Sequence, residues 1–336
     1  MTNMKNTAET RLSEDVSSMK AASDLIGAQI FAATGRRSYR VGGWVRALVM
    51  PPEVEDIPKD ADLTTGATPE QVQAAVPDAT LVTSIFPRFV AVRNGHEIEI
   101  ASFRGYRPGA AKVFPPPLLS DLPEDVAIAI DASRRDLTMN SLYEAVDTGE
   151  IMDPQGGLAD IKKRVVRANG EPRESIVEIK ERMLRAIRFT CRYGFKLDRN
   201  LYRAISEKSS ELFCAQCIDS NYCGCSRHAG LSSEQLQFEQ PEVVGNELLK
   251  IVAGRDPVCG MKLLHRTGIL RRVLPEVHRL FAKQKAVSAL LSELNEHKGQ
   301  THAEVLAILL RHAVKDDAAA ATKIRHRLGM PSLQVA

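Results

Sequence analysis

Between Gly95 and Arg104 the chain alternates: Ile98 and Ile100 fall on one side, Glu97 and Glu99 on the other. Strict period-two alternation predicts a half-buried strand. Its acidic side reads either as a solvated face or as part of a cation site, and the alternation alone leaves both open. From Ile176 onward the period becomes helical, with Met183, Leu184 and Ile187 as the apolar stripe. Ala21 to Thr34 carries small and apolar residues suited to a helix, and residues 1–20 are polar, as expected of a mobile arm. Gly105 to Asp131 is rich in proline, including Pro115-Pro116-Pro117, which predicts no regular element there. Cys214 to Pro241 interrupts the helical pattern with polar residues, glycines and four of the six cysteines.

Ahead of the alternating strand stands a spaced pair of motifs, GGWVRA and KDADLTT. Asp60 and Asp62 are two residues apart, so in extended chain their carboxylates share one side. Such a pair can hold divalent cations, and hard oxygen ligands suit Mg²⁺ shared with substrate phosphates. Gly42 and Gly43 permit close backbone approach, and the guanidinium of Arg46 can take phosphate oxygens in bidentate fashion. A Gly-Gly turn or a D-x-D is common by itself. The order of turn, arginine, acid pair and acidic strand points to transfer of a nucleotidyl group, with Glu99 as the third carboxylate in the sharper reading of that strand.

In this order the motifs resemble the class II tRNA nucleotidyltransferase and poly(A) polymerase family. The segments that carry the likeness are YRVGGWVRALV, DADLTTGATPEQV, HEIEIASFR, DASRRDLTMNSL with IMDPQGGLADIKKRVVRA, and EIKERMLRAIRFTCRYGFKLD. A sixth, VVGNELLKIVAGRDP with LLHRTGILRRVLPEV, resembles the family's helical body, so the likeness covers roughly residues 25–280.

The resemblance implies an α+β fold: a nucleotidyltransferase-type mixed α/β head followed by an all-helical neck and body. The domains it implies are a flexible N-terminal arm over 1–22, a head over 23–165, a neck over 166–213, a cysteine-containing insertion over 214–241 and an RNA-binding body over 242–336. It makes Asp60 and Asp62 the metal ligands and, with Glu99, the catalytic carboxylates. Gly42, Gly43 and Arg46 would cradle the triphosphate, and Arg134, Arg135, Asp136 and Asn140 would bind the incoming ribonucleotide. Glu178, Arg182 and Arg185 would lie on the helix that reads the base. An ordinary ion pair between Glu178 and Arg182, four apart on one helix, is the competing reading of that segment.

The implied activity is template-independent addition to RNA 3′ ends, most simply CCA to tRNA from CTP and ATP with Mg²⁺ and release of pyrophosphate. Poly(A) addition is the alternative, and an impaired RNA-binding member is a second. Two positions depart from the family pattern. The aspartate after the first-motif arginine is Ala47, and the base-reading aspartate is Ile179, which has no group to hydrogen-bond a base. The stretch from Arg46 to Asp60 is also longer than the resemblance leads one to expect. The chain ends at HRLGMPSLQVA without a clear tail domain, so the tail that grips tRNA in the family is expected to be short or the chain truncated.

Charge sharpens one part of this picture. The net charge is only +3, yet residues 161–210 hold 14 Lys and Arg against 6 Asp and Glu. That local excess reads either as nucleic-acid contact or as solvated helix faces. With 44% hydrophobic and 26% charged residues the composition is that of a globular protein. No apolar run approaches the length of a membrane span, and the acidic N-terminal region, with Glu9, Glu14 and Asp15, argues against a transit peptide. A cytoplasmic location is the expectation. Cys214, Cys217, Cys223 and Cys225 are compact enough for zinc, although free thiols in an insertion suit that spacing better. Cys191 and Cys259 sit in apolar helical settings and are expected in the core.

Overall fold

The computed structural model describes residues 2–54, 56–83, 87–105, 119–212, 241–315 and 317–330, with side chains from Glu14 onward. The insertion cysteines 214, 217, 223 and 225 lie outside the described residues. The chain divides into two compact units, Met1–Lys163 and Arg164–Ala336.

The first unit is built on a seven-stranded sheet. Its strands are β1 (Ser38–Val41), β2 (Leu63–Thr65), β3 (Thr80–Thr83), β4 (Arg88–Arg93), β5 (His96–Ser102), β6 (Tyr143–Ala145) and β7 (Ile151–Met152), in the order β3-β4-β5-β2-β1-β6-β7. β2 and β5 run parallel, with Leu63 opposite Ile100, and the other pairings are antiparallel. The alternation read from the sequence is realised in β5, where Ile98 and Ile100 are fully buried and Glu97 is exposed.

Helices flank this sheet: α1 (Thr2–Thr34), α2 (Gly43–Val49), α3 (Pro69–Ala75), α4 (Glu124–Ser133) and α5 (Gly157–Lys163). Two expectations fail here. The flexible arm expected over 1–22 is part of α1, whose Met19, Ala22, Ile26 and Ile30 are buried at four-residue and three-residue steps. The proline-rich stretch also yields to α4 from Glu124. Pro123 precedes that helix, acidic Glu124 and Asp125 fill its first turn, and Ala127, Ile128, Asp131 and Ala132 face inward.

A polar network is buried in this core. Arg40 of β1 donates through Nε and Nη2 to the Glu144 carboxylate of β6 at 3.0 and 3.1 Å, and through Nη1 to Ser23 and Asp24 of α1. The indole N–H of Trp44 donates to the same Glu144 carboxylate at 2.7 Å. Burying a guanidinium costs several kcal/mol unless it is paired and hydrogen-bonded. Here each face of the core contributes a partner, so strands and helices are locked in one register.

The second unit is helical, with one departure from the all-helical expectation: a two-stranded parallel sheet of β8 (Val165–Val166) and β9 (Lys196–Leu197). Its helices begin with α6 (Pro172–Glu178), α7 (Arg182–Tyr193) and α8 (Arg199–Lys208). They continue with α9 (Pro241–Val252), α10 (Pro257–Arg266), α11 (Ile269–Val273), α12 (Pro275–His278), α13 (Gln284–Glu296), α14 (His302–Val314) and α15 (Ala318–Arg327). Met183, Leu184 and Ile187 are fully buried, as their spacing predicts. Buried Cys191 of α7 places its sulfur 2.8 Å from that of Cys259 of α10. Among the described residues, no helix is long and apolar enough to cross a membrane.

Candidate active site

β1 ends at Val41, and Gly42 turns the chain with φ at +66°, a conformation that side-chain-bearing residues rarely adopt. Gly43 opens α2, and Arg46 lies one turn along it. The chain returns in an extended stretch through Asp60, Ala61 and Asp62, and the Val41 N–H donates to the Asp62 carbonyl at 3.1 Å. The acids therefore sit immediately before β2 rather than inside it, in line with the β1–β2 ladder. Ala61 is fully buried, Asp60 beside it is exposed and Asp62 is half-buried.

Gly43 brings these pieces close together. A Cβ there would stand 3.3 Å from Asp60 Oδ1 and 3.7 Å from Arg46 Nη2. A carboxylate and a guanidinium thus flank a glycine with no side chain between them. The Asp62 carboxyl is pushed up to about 7, first by burial, then by Asp60 and by Glu99, against the opposing pull of Arg135 and Arg104. Like charges held together in this way are the signature of a site that gains by taking up a positive ion. Asp60 and Asp62 fit a divalent cation on this ground.

Glu99 does not complete a three-carboxylate cluster. Its carboxylate is held by Arg88 of β4 at 3.0 and 3.3 Å, and among the described residues no group of three metal-binding side chains converges. Its charge is felt by Asp62 all the same.

Arg46 is fixed on two edges. Its Nε donates to Asp56 at 2.9 Å and its Nη1 to the Asn140 side-chain carbonyl at 2.6 Å. Asn140 closes a short 3₁₀ turn (Thr138–Asn140), and its amide donates to Asp136 at 3.1 Å. Two candidate ribonucleotide-binding residues are thereby joined to the candidate phosphate cradle. Arg134 is half-buried at the end of α4.

Arg135 has a different setting. Its guanidinium donates to Asp131 through Nε and Nη2 at 3.1 and 2.9 Å, and lies over the Tyr143 ring. Asp131 also accepts from the Tyr143 hydroxyl at 2.5 Å and the Arg104 backbone N–H at 2.7 Å. Burial alone would raise the Asp131 carboxyl, but Arg135 and Arg104 override it and hold it below the ordinary range. Sequence reasoning missed Asp131. The signal was its place four residues before Arg135, one turn away on the helix that was not expected.

In the second unit Glu178 and Arg182 do meet, at 3.2 Å, but not on one continuous helix. α6 ends at Glu178, Ile179 is extended, and α7 starts at Arg182. Arg182 is buried and donates through Nη1 to the Ser175 carbonyl and hydroxyl at 3.1 and 3.0 Å. Arg185 is half-buried with its guanidinium over the Phe189 ring.

Residues 38–167 match the model of the Poly A polymerase head domain. The chain is 35% identical over 185 residues to the CCA-adding enzyme of Geobacillus sp. (strain WCH70), covering 53% of this chain and 42% of that relative. It is 38% identical over 170 residues to poly(A) polymerase I of Escherichia coli O157:H7, covering 48% of this chain and 36% of that one. These likenesses support the resemblance to the class II tRNA nucleotidyltransferase and poly(A) polymerase family, and the matched head domain carries it.

It spans less than half the length of these two curated relatives. The class II fold extends beyond the head: the Thermotoga maritima CCA-adding enzyme complexed with tRNA_CCA superposes with a TM-score of 0.60 over 93% of this chain and 65% of that one, at 21% identity. The residues gathered around Gly43 lie within the matched head domain.

Proposed function

We propose that this chain is a template-independent RNA 3′-end nucleotidyltransferase that adds CCA to tRNA from CTP and ATP. The observation that carries the reading is the Asp60–Gly43–Arg46 arrangement, in which an acid and a guanidinium flank an open glycine. Asp60 and Asp62 are the residues to hold Mg²⁺, which when bound supplies charge neutralisation and an activated hydroxyl. Arg46 binds the triphosphate, and Gly43 leaves room for it. Asp136, oriented by Asn140, accepts from ribose hydroxyls and so favours ribonucleotides. The 3′ hydroxyl of the RNA forms a bond to the α-phosphorus, and the bond from that phosphorus to the bridging oxygen breaks, releasing pyrophosphate. The protein's share is position and charge rather than a covalent intermediate.

Poly(A) addition is the second reading, carried by the 38% identity to poly(A) polymerase I over 170 residues, and Ile179 weakens base selection without choosing between the two. A base-reading position without a polar group loses discrimination between nucleotides. Similarity to a CCA-adding enzyme and to a poly(A) polymerase at comparable identity does not separate the two.

The test is single-nucleotide extension with Mg²⁺, using a tRNA lacking CCA and an unstructured RNA, each with labelled CTP, ATP, UTP or GTP. Two C and one A on the tRNA alone support CCA addition. Long A tracts on either RNA transfer the assignment to poly(A) polymerase. Retained RNA binding with no incorporation overturns both and leaves an RNA-binding member without activity.

A further inference from the structure

Asp56 belongs to none of the motifs read from the sequence. It lies on the loop between α2 and β2, in the stretch from Arg46 to Asp60 that is longer than the family resemblance leads one to expect. Its side chain is nevertheless only 1% exposed, and it accepts from Nε of Arg46, itself 8% exposed, at 2.9 Å. A loop carboxylate is seldom buried to that degree unless a partner holds it there.

The guanidinium it meets is planar, so contacts on two edges fix both its position and its tilt. Asp56 takes the Nε edge, Asn140 takes Nη1, and Nη2 is the atom that points toward Gly43 and, beyond it, Asp60. The residue after Arg46 is Ala47, which offers no carboxylate.

We infer that Asp56 is a positioning residue for the triphosphate cradle: a carboxylate delivered by the lengthened loop, it aims Arg46 at the nucleotide phosphates in place of an acid at position 47. The inference rests on the reading of Arg46 as a phosphate-binding group. Asp56 touches no substrate and acts on the nucleotide through Arg46. Its loss leaves Arg46 charged but able to swing off line, which weakens nucleotide binding more than turnover of the nucleotide once bound. Misplacement of a positioning group by about 1 Å costs up to about 100-fold.

The experiment uses the full chain with Mg²⁺ and a tRNA lacking CCA. KM and kcat for CTP and ATP are measured in the wild type, D56A, D56N, R46A, D56A/R46A and A47D/D56A, with a melting curve for each. In D56A we expect KM for both nucleotides to rise about 10- to 100-fold with kcat changed by less than about 3-fold. D56N keeps an acceptor for Nε without its charge, and its KM should fall between D56A and wild type. D56A should raise KM far less in R46A than in the wild type, because the effect on the nucleotide runs through Arg46. A47D should recover at least part of the KM lost in D56A.

A wild-type KM in D56A, or a further loss in D56A/R46A of the same size as in D56A, overturns the inference. If D56A does not fold, D56N decides: a wild-type KM in that folded variant overturns it too. A wild type that neither binds nor incorporates nucleotide is a different result, since it removes the functional reading from which this one starts.

Discussion

Arg46 in the first unit and Arg182 in the second are both buried motif arginines, yet they are held in opposite ways. Arg46 is held by Asp56, 10 residues on in a loop, and by Asn140 of a 3₁₀ turn 94 residues away. Arg182 donates to Ser175 and Glu178, both within the preceding seven residues. An arginine whose partners converge from separate segments is aimed by the fold at a point. An arginine that bonds its own near neighbours clamps a local bend, here the break at Ile179 between α6 and α7. Motif likeness treats the two alike, while geometry makes Arg46 part of a cradle and Arg182 part of a joint.

The largest expected effect tests the cradle. Replacing Asp60 and Asp62 together by Ala should lower nucleotide incorporation by about 10³-fold or more, while the melting temperature holds or rises as like-charge repulsion is removed. A clear fall in melting temperature would make the acids structural and dissolve the contrast with the second unit.

Arg182→Ala comes next and tests the joint. It leaves Glu178, whose side chain is 9% exposed, without its cationic partner, and should destabilise the chain by about 3 kcal/mol in denaturant unfolding. The ratio of CTP to ATP incorporation should change little. Unchanged stability with a scrambled nucleotide ratio would move Arg182 from the joint to the base-reading role implied by the family.

A pH series sharpens the comparison further. The Asp62 carboxyl, ordinarily near 3.8, is raised to about 7 in the folded chain. Between those values the folded state holds a proton that the unfolded state has lost. Without divalent ion, stability therefore falls as pH rises from about 4 to about 7, and the loss is complete above. Mg²⁺ competes with that proton, so the rise in melting temperature on adding Mg²⁺ should be larger at pH 8 than at pH 5.5. An equal rise at both would show that Asp62 is not a ligand.

The smallest expected effect is Tyr143→Phe, which removes the hydrogen bond the hydroxyl donates to Asp131 and the one it accepts from Arg135 Nε. With Arg135 and the Arg104 N–H still in place, the cost should be about 1–2 kcal/mol in denaturant unfolding. A much larger loss would show that the tyrosine, rather than the arginine, governs this network.

The pattern of the sequence went a long way where local spacing governs. Ile98 and Ile100 announced β5, Met183, Leu184 and Ile187 announced the core side of α7, and Asp60 and Asp62 stand on one side of an extended chain. It failed where the decisive partner is distant. Nothing near Arg40 foretells Glu144, which lies 104 residues away and takes the indole of Trp44 as well. Asp56 was invisible for another reason: it stands in an irregular loop 10 residues past Arg46, where no periodicity announces a contact. The break at Ile179 escaped because apolar residues continue in helical register on both sides, and a short interruption hardly disturbs the period. The α4 helix escaped because the prolines before it masked a well-formed acidic start at Glu124 and Asp125.

The Arg40–Glu144 pair also orders events in time. During synthesis β1 leaves the ribosome about a hundred residues before β6, its neighbour in the sheet. Until Glu144 emerges, a nascent chain that closed its core around Arg40 would bury a guanidinium without its main counter-charge, at a penalty of several kcal/mol. Helix α1 and the strands β2 to β5 can form earlier, but β1 has to wait in water. Docking of Tyr143–Ala145 against β1 also brings the Tyr143 hydroxyl to Asp131, and the nearby Asn140 to Arg46. Nascent chains ending short of residue 144 carry the cradle's glycines and aspartates but not the assembled cradle.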